Sequence, residues 1–170
     1  LQSNAFSASP WSLSSATILG GQSGYDGSND AWLLDKTAAS GRVFQNITSS
    51  GVKTFSVYAK AGTNNFIYLL VNSTPNPSVY IDIQNGVVGS NAANITTNVV
   101  SVGNGWFRCS LTVDKSITRV RIYPAFSNGS ISETSGNILI QDAQLEQSLV
   151  STEYIETTTT TGTAGILENT

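Results

Sequence analysis

Alternation of apolar and polar residues with a period of two constrains this chain more than any other feature. Val52-Lys53-Thr54-Phe55-Ser56-Val57-Tyr58-Ala59-Lys60 puts Phe55, Val57 and Ala59 on one side of an extended segment, with Ser56, Tyr58 and Lys60 on the other. Residues 78–84 set Val79, Ile81 and Ile83 against Tyr80 and Asp82, then stop at Asn85-Gly86, a hairpin signal. Residues 106–113 set Phe107, Cys109, Leu111 and Val113 against Trp106, Arg108 and Ser110. In 119–123, Val120 and Ile122 oppose Arg119, Arg121 and Tyr123. Residues 65–71 alternate as well, and the facing of the set Phe66, Tyr68 and Leu70 stays open. Residues 136–146 form a further strand that is partly apolar in both alternate sets, and weaker strands are predicted at 31–34, 43–48 and 95–102.

No apolar stripe of helical period persists for three turns. Turn clusters recur at short spacing: Gly20-Gly21, Asp26-Gly27, Asn64-Asn65, Pro75-Asn76-Pro77, Asn104-Gly105 and Asn128-Gly129. Many short strands with regular turns predict an all-β fold, an antiparallel two-sheet β-sandwich. Residues 1–156 make one domain, and 157–170 read as a Thr-rich tail or linker with too little apolar matter to pack.

Composition removes several functions. The chain has no histidine, which excludes a Ser-His-Asp triad, an imidazole acid–base and a histidine zinc site. A single cysteine, Cys109, excludes an intrachain disulfide and a multi-thiolate metal site, and its inward place reads as an inert buried thiol. Eight basic against eleven acidic residues give a net charge of −3, the wrong sign for a general nucleic-acid binder. No apolar run approaches the ~18 residues of a membrane span, and no basic-then-apolar leader opens the chain. Leu1 begins in mid-pattern, as expected of a module of a larger protein.

Five motifs in order carry a resemblance. They are Ser3-Asn4-Ala5-Phe6 with Trp11, Tyr25-Asp26-Gly27-Ser28, and Phe55-Ser56-Val57-Tyr58-Ala59-Lys60-Ala61-Gly62. Gly103-Asn104-Gly105-Trp106-Phe107-Arg108-Cys109-Ser110 follows, and Asp142-Ala143-Gln144-Leu145-Glu146 with Ser151-Thr152-Glu153-Tyr154-Ile155 closes the series. Together they resemble the jelly-roll, carbohydrate-binding-module-like domains of bacteriophage tail and other viral proteins, over nearly all of residues 1–156. Glu156 stands where that pattern usually has proline. The resemblance implies a jelly-roll sandwich, a polysaccharide partner, and an extracellular or virion-associated setting. It also implies one structural calcium ion, because such modules often hold calcium against an Asp of the last strand, where Asp142 falls. Asp26 is the second candidate ligand, with an ordinary turn role beside Gly27 as the alternative.

The alternation collects Tyr58, Tyr80, Trp106 and Tyr123 with Lys60, Asp82, Arg108 and Arg121 on an expected outer face. Tyr68 joins them if its set faces outward. Rings and charged groups of this kind suit a sugar, whose C–H face stacks on the ring while its hydroxyls pair with the polar groups. The alternative for these residues is cross-strand packing. Trp32, between Ala31 and Leu33, is expected to be exposed and is a secondary stacking candidate, whereas Trp11 is expected to cover the core.

Glycoside hydrolysis needs two carboxylates across one cleft, ~5–10 Å apart, and only Asp82 is placed mid-strand on that face. The expected function is therefore a non-catalytic carbohydrate-binding module. Low charge and several rings favour a neutral β-glucan, while Lys60, Arg108 and Arg121 keep an acidic glycan in play. The alternatives are a structural domain of a virion or tail fibre without its own ligand, or a lyase using tyrosine and arginine.

Overall fold

The computed structural model describes residue 1 and residues 3–157. All of the Thr-rich tail beyond Thr157 lies outside the described residues. Twelve strands follow one another: β1 (Trp11–Ser14), β2 (Ala16–Gln22), β3 (Ala31–Lys36), β4 (Arg42–Ser49), β5 (Val52–Ala61), β6 (Phe66–Asn72), β7 (Ser78–Asp82), β8 (Val87–Asn91), β9 (Thr96–Gly103), β10 (Trp106–Asp114), β11 (Ile117–Ala125) and β12 (Gly136–Glu146). No helix occurs among the described residues.

The strands form two antiparallel six-stranded sheets, ordered β1-β4-β11-β6-β7-β8 and β2-β3-β12-β5-β10-β9. We call these the tyrosine sheet and the bulge sheet. The chain changes sheet at β1/β2, β3/β4, β4/β5, β5/β6, β8/β9, β10/β11 and β11/β12, as a jelly-roll sandwich requires. Most predicted strands lie within a few residues of those observed. β1, β2 and β8 are additional, because their short segments carry serine and glycine and alternate weakly.

The inward sets meet in one core. Phe55, Val57, Ala59, Cys109, Leu111, Ile138 and Ile140 of the bulge sheet face Val43, Ile67, Leu69, Val79, Ile81, Val120 and Ile122 of the tyrosine sheet. Full burial of each large aliphatic side chain contributes about 1.5–3 kcal/mol. Trp11 is 5% exposed and packs on Phe6, with ring centroids 4.8 Å apart.

The pattern of β12 has a structural cause. Its register against β5 shifts between Gln141 and Gln144, and Asp142 there adopts φ 51°. Ile138 and Ile140 face inward before this bulge, and Ala143 faces inward after it. One extra residue therefore moves the apolar set from even to odd positions. At the β7–β8 turn Gly86 has φ 70°, and a Cβ there would lie 2.4 Å from Cε1 of Phe107.

Candidate functional site

The expected outer face divides between the two sheets. β5 and β10 pair in the bulge sheet, so Tyr58, Lys60, Trp106 and Arg108 lie on its outer side. Tyr68, Tyr80, Asp82, Arg121 and Tyr123 belong to β6, β7 and β11 of the tyrosine sheet. The two groups occupy opposite outer faces of the sandwich. Alternation gives each residue its side of a strand, but not the sheet to which the strand belongs.

On the bulge sheet the rings are covered. Tyr25 lies flat on Tyr58, centroids 3.7 Å apart at 6°, and meets Trp106 edge-on at 6.3 Å. Tyr58 is 8% and Trp106 2% exposed, over the fully buried Ala31. Arg108 completes the packing, 5.3 Å from the Tyr58 centroid, and its Nη2 donates to Ser56 Oγ at 3.3 Å. Lys60 pairs with Trp106 across the strands and remains half-buried. The loop thus covers Tyr58 and Trp106, and leaves the single Tyr25 ring above them half-buried.

Trp32 is corrected as well. It pairs with Ile140 across β3 and β12, so it shares the inward side and packs on the core. Phe6 meets it edge-on at 6.3 Å. Ala31 takes the outward place instead, buried beneath the Tyr58–Trp106 cluster.

Asp142 sits beneath the same loop and is 5% exposed. Tyr25 hydroxyl donates to its Oδ2 at 3.0 Å, the Tyr154 hydroxyl also bonds it, and its own N–H donates to Asn4 Oδ1 at 3.2 Å. Burial, with smaller pushes from Asp26 and Asp30, drives the carboxyl up to about 6, while the two tyrosine hydroxyls pull the other way. Burial first, and then Asp142, also raises the Tyr25 hydroxyl. Asp26 Oδ1 accepts from Ser28 N and Ser28 Oγ within its own turn, and from Gln141 Nε2 at 3.3 Å. Calcium needs several convergent oxygen acceptors, but the groups turned toward these two carboxylates are donors. No cluster of three or more Asp, Glu, Cys or His with metal-holding geometry occurs among the described residues. Asp142 and Asp26 as arranged do not fit a calcium ion.

The tyrosine sheet is different. Tyr123, Tyr68 and Tyr80 occupy one rung of β11, β6 and β7. Tyr68 stacks on Tyr80 at 4.2 Å and 23°, and tilts against Tyr123 at 5.3 Å. Arg42 lies 5.7 Å from both the Tyr123 and Phe44 centroids, and Arg119 lies 4.9 Å from Phe44. Arg121 Nη1 donates to the Tyr123 hydroxyl at 3.4 Å. Arginines and rings thus form one band across β4, β11, β6 and β7. Three strand intervals make it about 14 Å wide.

Within the band, Tyr68, Tyr80, Phe44 and the arginines are half-buried, whereas Tyr123 is only 3% exposed. Tyr123 therefore braces its neighbours and offers no ring face. The β11–β12 loop encloses this end: Ser90 N donates to Asn128 Oδ1 at 2.7 Å, and Ser40 N donates to Ile131 O at 2.9 Å. Burial, then the nearby Tyr68 and Glu133, pushes the Tyr80 hydroxyl up to about 12. Asp82 is committed to its turn, where Oδ1 accepts from Gln84 N and Asn85 N and Oδ2 from Asn85 Nδ2. Glu133 lies 3.8 Å from Lys36 Nζ.

A cleft of about 750 Å³ lies elsewhere, between the two terminal segments and the ends of β4 and β12. Leu1, Ile47, Leu145 and Ile155 line it with Glu146, the one carboxylate there among the described residues, which accepts from Thr152 N and Oγ1 at 2.8 and 2.6 Å.

Arg42, Phe44, Arg119 and Tyr25 were not among the sequence candidates. Alternation around the inward Val43 marks Arg42 and Phe44 as outward, but no local signal brings them beside Tyr123. Tyr25 sits in a turn, whose packing no periodicity reveals.

Solved structures similar to this chain include the Clostridium thermocellum N-terminal endo-1,4-β-D-xylanase 10B CBM22-1–GH10 modules complexed with xylohexaose. That match has a TM-score of 0.49 and 14% identity, and covers 81% of this chain and 26% of that one. A mutant of a carbohydrate binding module family 29 matches with a TM-score of 0.45 and 10% identity, over 81% of this chain and 80% of that one. TmCBM61 in complex with β-1,4-galactotriose matches with a TM-score of 0.39 and 15% identity, over 82% and 90%. The chain thus spans about a quarter of the length of the xylanase chain. No protein-family model matches it, and no curated protein does.

Proposed function

We propose that the chain is a non-catalytic carbohydrate-binding module, of the kind viral proteins carry, and that a polysaccharide lies across the outer face of the tyrosine sheet. The observation that carries this reading is the half-exposed Tyr68–Tyr80 stack, continued through Tyr123 to the Phe44 ring between Arg42 and Arg119. A sugar lays its C–H face on such rings, while guanidinium groups donate to its oxygens. Each aromatic contact contributes roughly 0.5–1.5 kcal/mol beyond its buried area. With entropy opposing association, the resulting affinity is about micromolar to millimolar.

Binding without turnover agrees with the state of the nearby acids. Asp82 is engaged by its own turn and Glu133 faces Lys36, so among the described residues the band has no pair of free carboxylates to cleave a glycoside.

Affinity electrophoresis against soluble polysaccharides, with neutral β-glucan and uronate polymers both in the panel, tests the proposal. Tyr68→Ala and Tyr80→Ala should weaken retention by about tenfold, since each removes a stacking ring and its buried area. Tyr58→Ala should leave retention unchanged while lowering stability, because its ring is packed on the opposite face. Absence of retention on every polysaccharide would overturn the reading in favour of an assembly domain of a virion or tail fibre.

A further inference from the structure

We infer that the band on the tyrosine sheet takes a carboxylated polysaccharide, a polymer of uronate residues, instead of the neutral β-glucan suggested by the low overall charge. This rests on the proposal that the band is the glycan site. The whole chain carries a net charge of −3, yet Arg42, Arg119 and Arg121 gather on this one face. Arg42 and Arg119 flank the same Phe44 ring, at 5.7 and 4.9 Å from its centroid.

None of these arginines has a carboxylate within ion-pair distance among the described residues, where Lys36–Glu133 is the ion pair present. Their partners are neutral oxygens. Arg42 Nη1 donates to Ser40 O at 3.1 Å, Arg119 Nε to Asn46 Oδ1 at 2.6 Å, and Arg121 Nη1 to the Tyr123 hydroxyl at 3.4 Å. A guanidinium has five N–H donors in a planar fork, so most of this donor capacity remains unused by side chains. Like charges held together cost free energy unless an anion neutralises them. Of the acids near this face, Asp82 is engaged in its own turn, and Glu133, which acts on Tyr80, lies 3.8 Å from Lys36 Nζ and pairs with none of the arginines.

A planar carboxylate matches the fork through two parallel N–H···O bonds, which a neutral hydroxyl cannot do. The rings then supply what a bare anion site lacks. Tyr68 and Tyr80 form a stacking surface beside the guanidinium groups, so sugar ring and carboxylate are engaged together. A uronate offers both on one residue.

The test uses isothermal titration calorimetry on the whole chain with polygalacturonate, alginate, highly methyl-esterified polygalacturonate, dextran sulfate and a neutral β-glucan. At least one uronate polymer should bind, and raising salt from 0.05 to 0.5 M should weaken that binding severalfold. Methyl esterification, which neutralises the carboxylate but keeps the backbone, should cost about tenfold or more if polygalacturonate is bound. Arg119→Gln and Arg121→Gln should each lose about tenfold, with Arg119→Lys recovering only part because it restores charge without the fork. Tyr68→Ala should weaken uronate binding at both salt concentrations. The salt and esterification arms use the wild-type chain, so they decide the matter even if an arginine variant folds poorly.

Salt-tolerant binding of β-glucan that depends on Tyr68 but on neither Arg119 nor Arg121 would overturn the uronate assignment and leave the carbohydrate module standing. Equal affinity for dextran sulfate with the same arginine dependence would also overturn it, reducing the face to general anion attraction. Absence of binding to every polymer would overturn both readings.

Discussion

Replacing Asp142 by asparagine should change how the stability of this protein depends on pH. Asp142 is 5% exposed, and burial is the largest influence on its carboxyl, which titrates at about 6 in the fold against an ordinary value of 3.8. At 1.36 kcal/mol per pH unit, that gap corresponds to about 3 kcal/mol. Its sign follows from proton counting. Between about pH 4 and pH 6 the folded state holds the proton and the unfolded state has released it. Stability therefore falls as pH rises through this window and levels off above it. Asparagine keeps the shape, carries no charge, and tolerates the positive φ of 51° better than most side chains. Unfolding of wild type and Asp142→Asn by scanning calorimetry at pH 4, 5, 6 and 7 exposes the effect as a difference, because the other carboxylates contribute to both curves. The variant should gain about 2.4 kcal/mol on wild type between pH 4 and pH 7, less than the full gap because pH 4 already lies above 3.8, or about 5–10 °C in Tm for a chain of this size. Parallel curves would refute the reasoning. A variant that lost ground as pH rose would show that the carboxylate is stabilised in its ionised form, by its tyrosine bonds or by a cation.

Three other outcomes are expected. EDTA should leave the thermal midpoint of wild type unchanged, because Asp142 and Asp26 face hydrogen-bond donors; a lowered midpoint restored by calcium would refute this. Tyr25→Ala should uncover Tyr58 and Trp106, costing about 1–3 kcal/mol in urea unfolding and shifting Trp106 emission to the red. Gly86→Ala should cost about 1–3 kcal/mol in the same assay, since it adds a Cβ at positive φ against the Phe107 ring, and a neutral result would show that the turn relaxes.

Much of the fold was legible because a strand exposes its period directly. The inward places of Phe55, Val57, Ala59, Cys109, Leu111, Val120 and Ile122 follow from alternation alone, since an extended backbone turns successive side chains to opposite sides. The facing of Phe66, Tyr68 and Leu70 did not follow, because all are apolar or aromatic in a strand whose other set is apolar too. Trp32 misled for a related reason. Both sets of β3 are largely apolar and both are shielded, one by the core and one by the Tyr25 cluster. Lys53 also departs from the pattern: it lies on the side of Phe55 and is buried, its ammonium held by the carbonyls of Gly51 and Lys115.

The candidate site divides along the same line. Local sequence marks Tyr68, Tyr80 and Arg121 as chemically suited to a sugar, and alternation places Arg119, Arg121 and Tyr123 on one side of one strand. That Tyr58 and Trp106 lie on the opposite face, and that Phe44 and Arg42 join the tyrosines, depends on which strands hydrogen-bond to which. A strand's period is local, written residue by residue into the chain. Its neighbours are chosen by long-range pairing and by burial of both sheets at once, so the composition of each outer face exists only once the sandwich has closed.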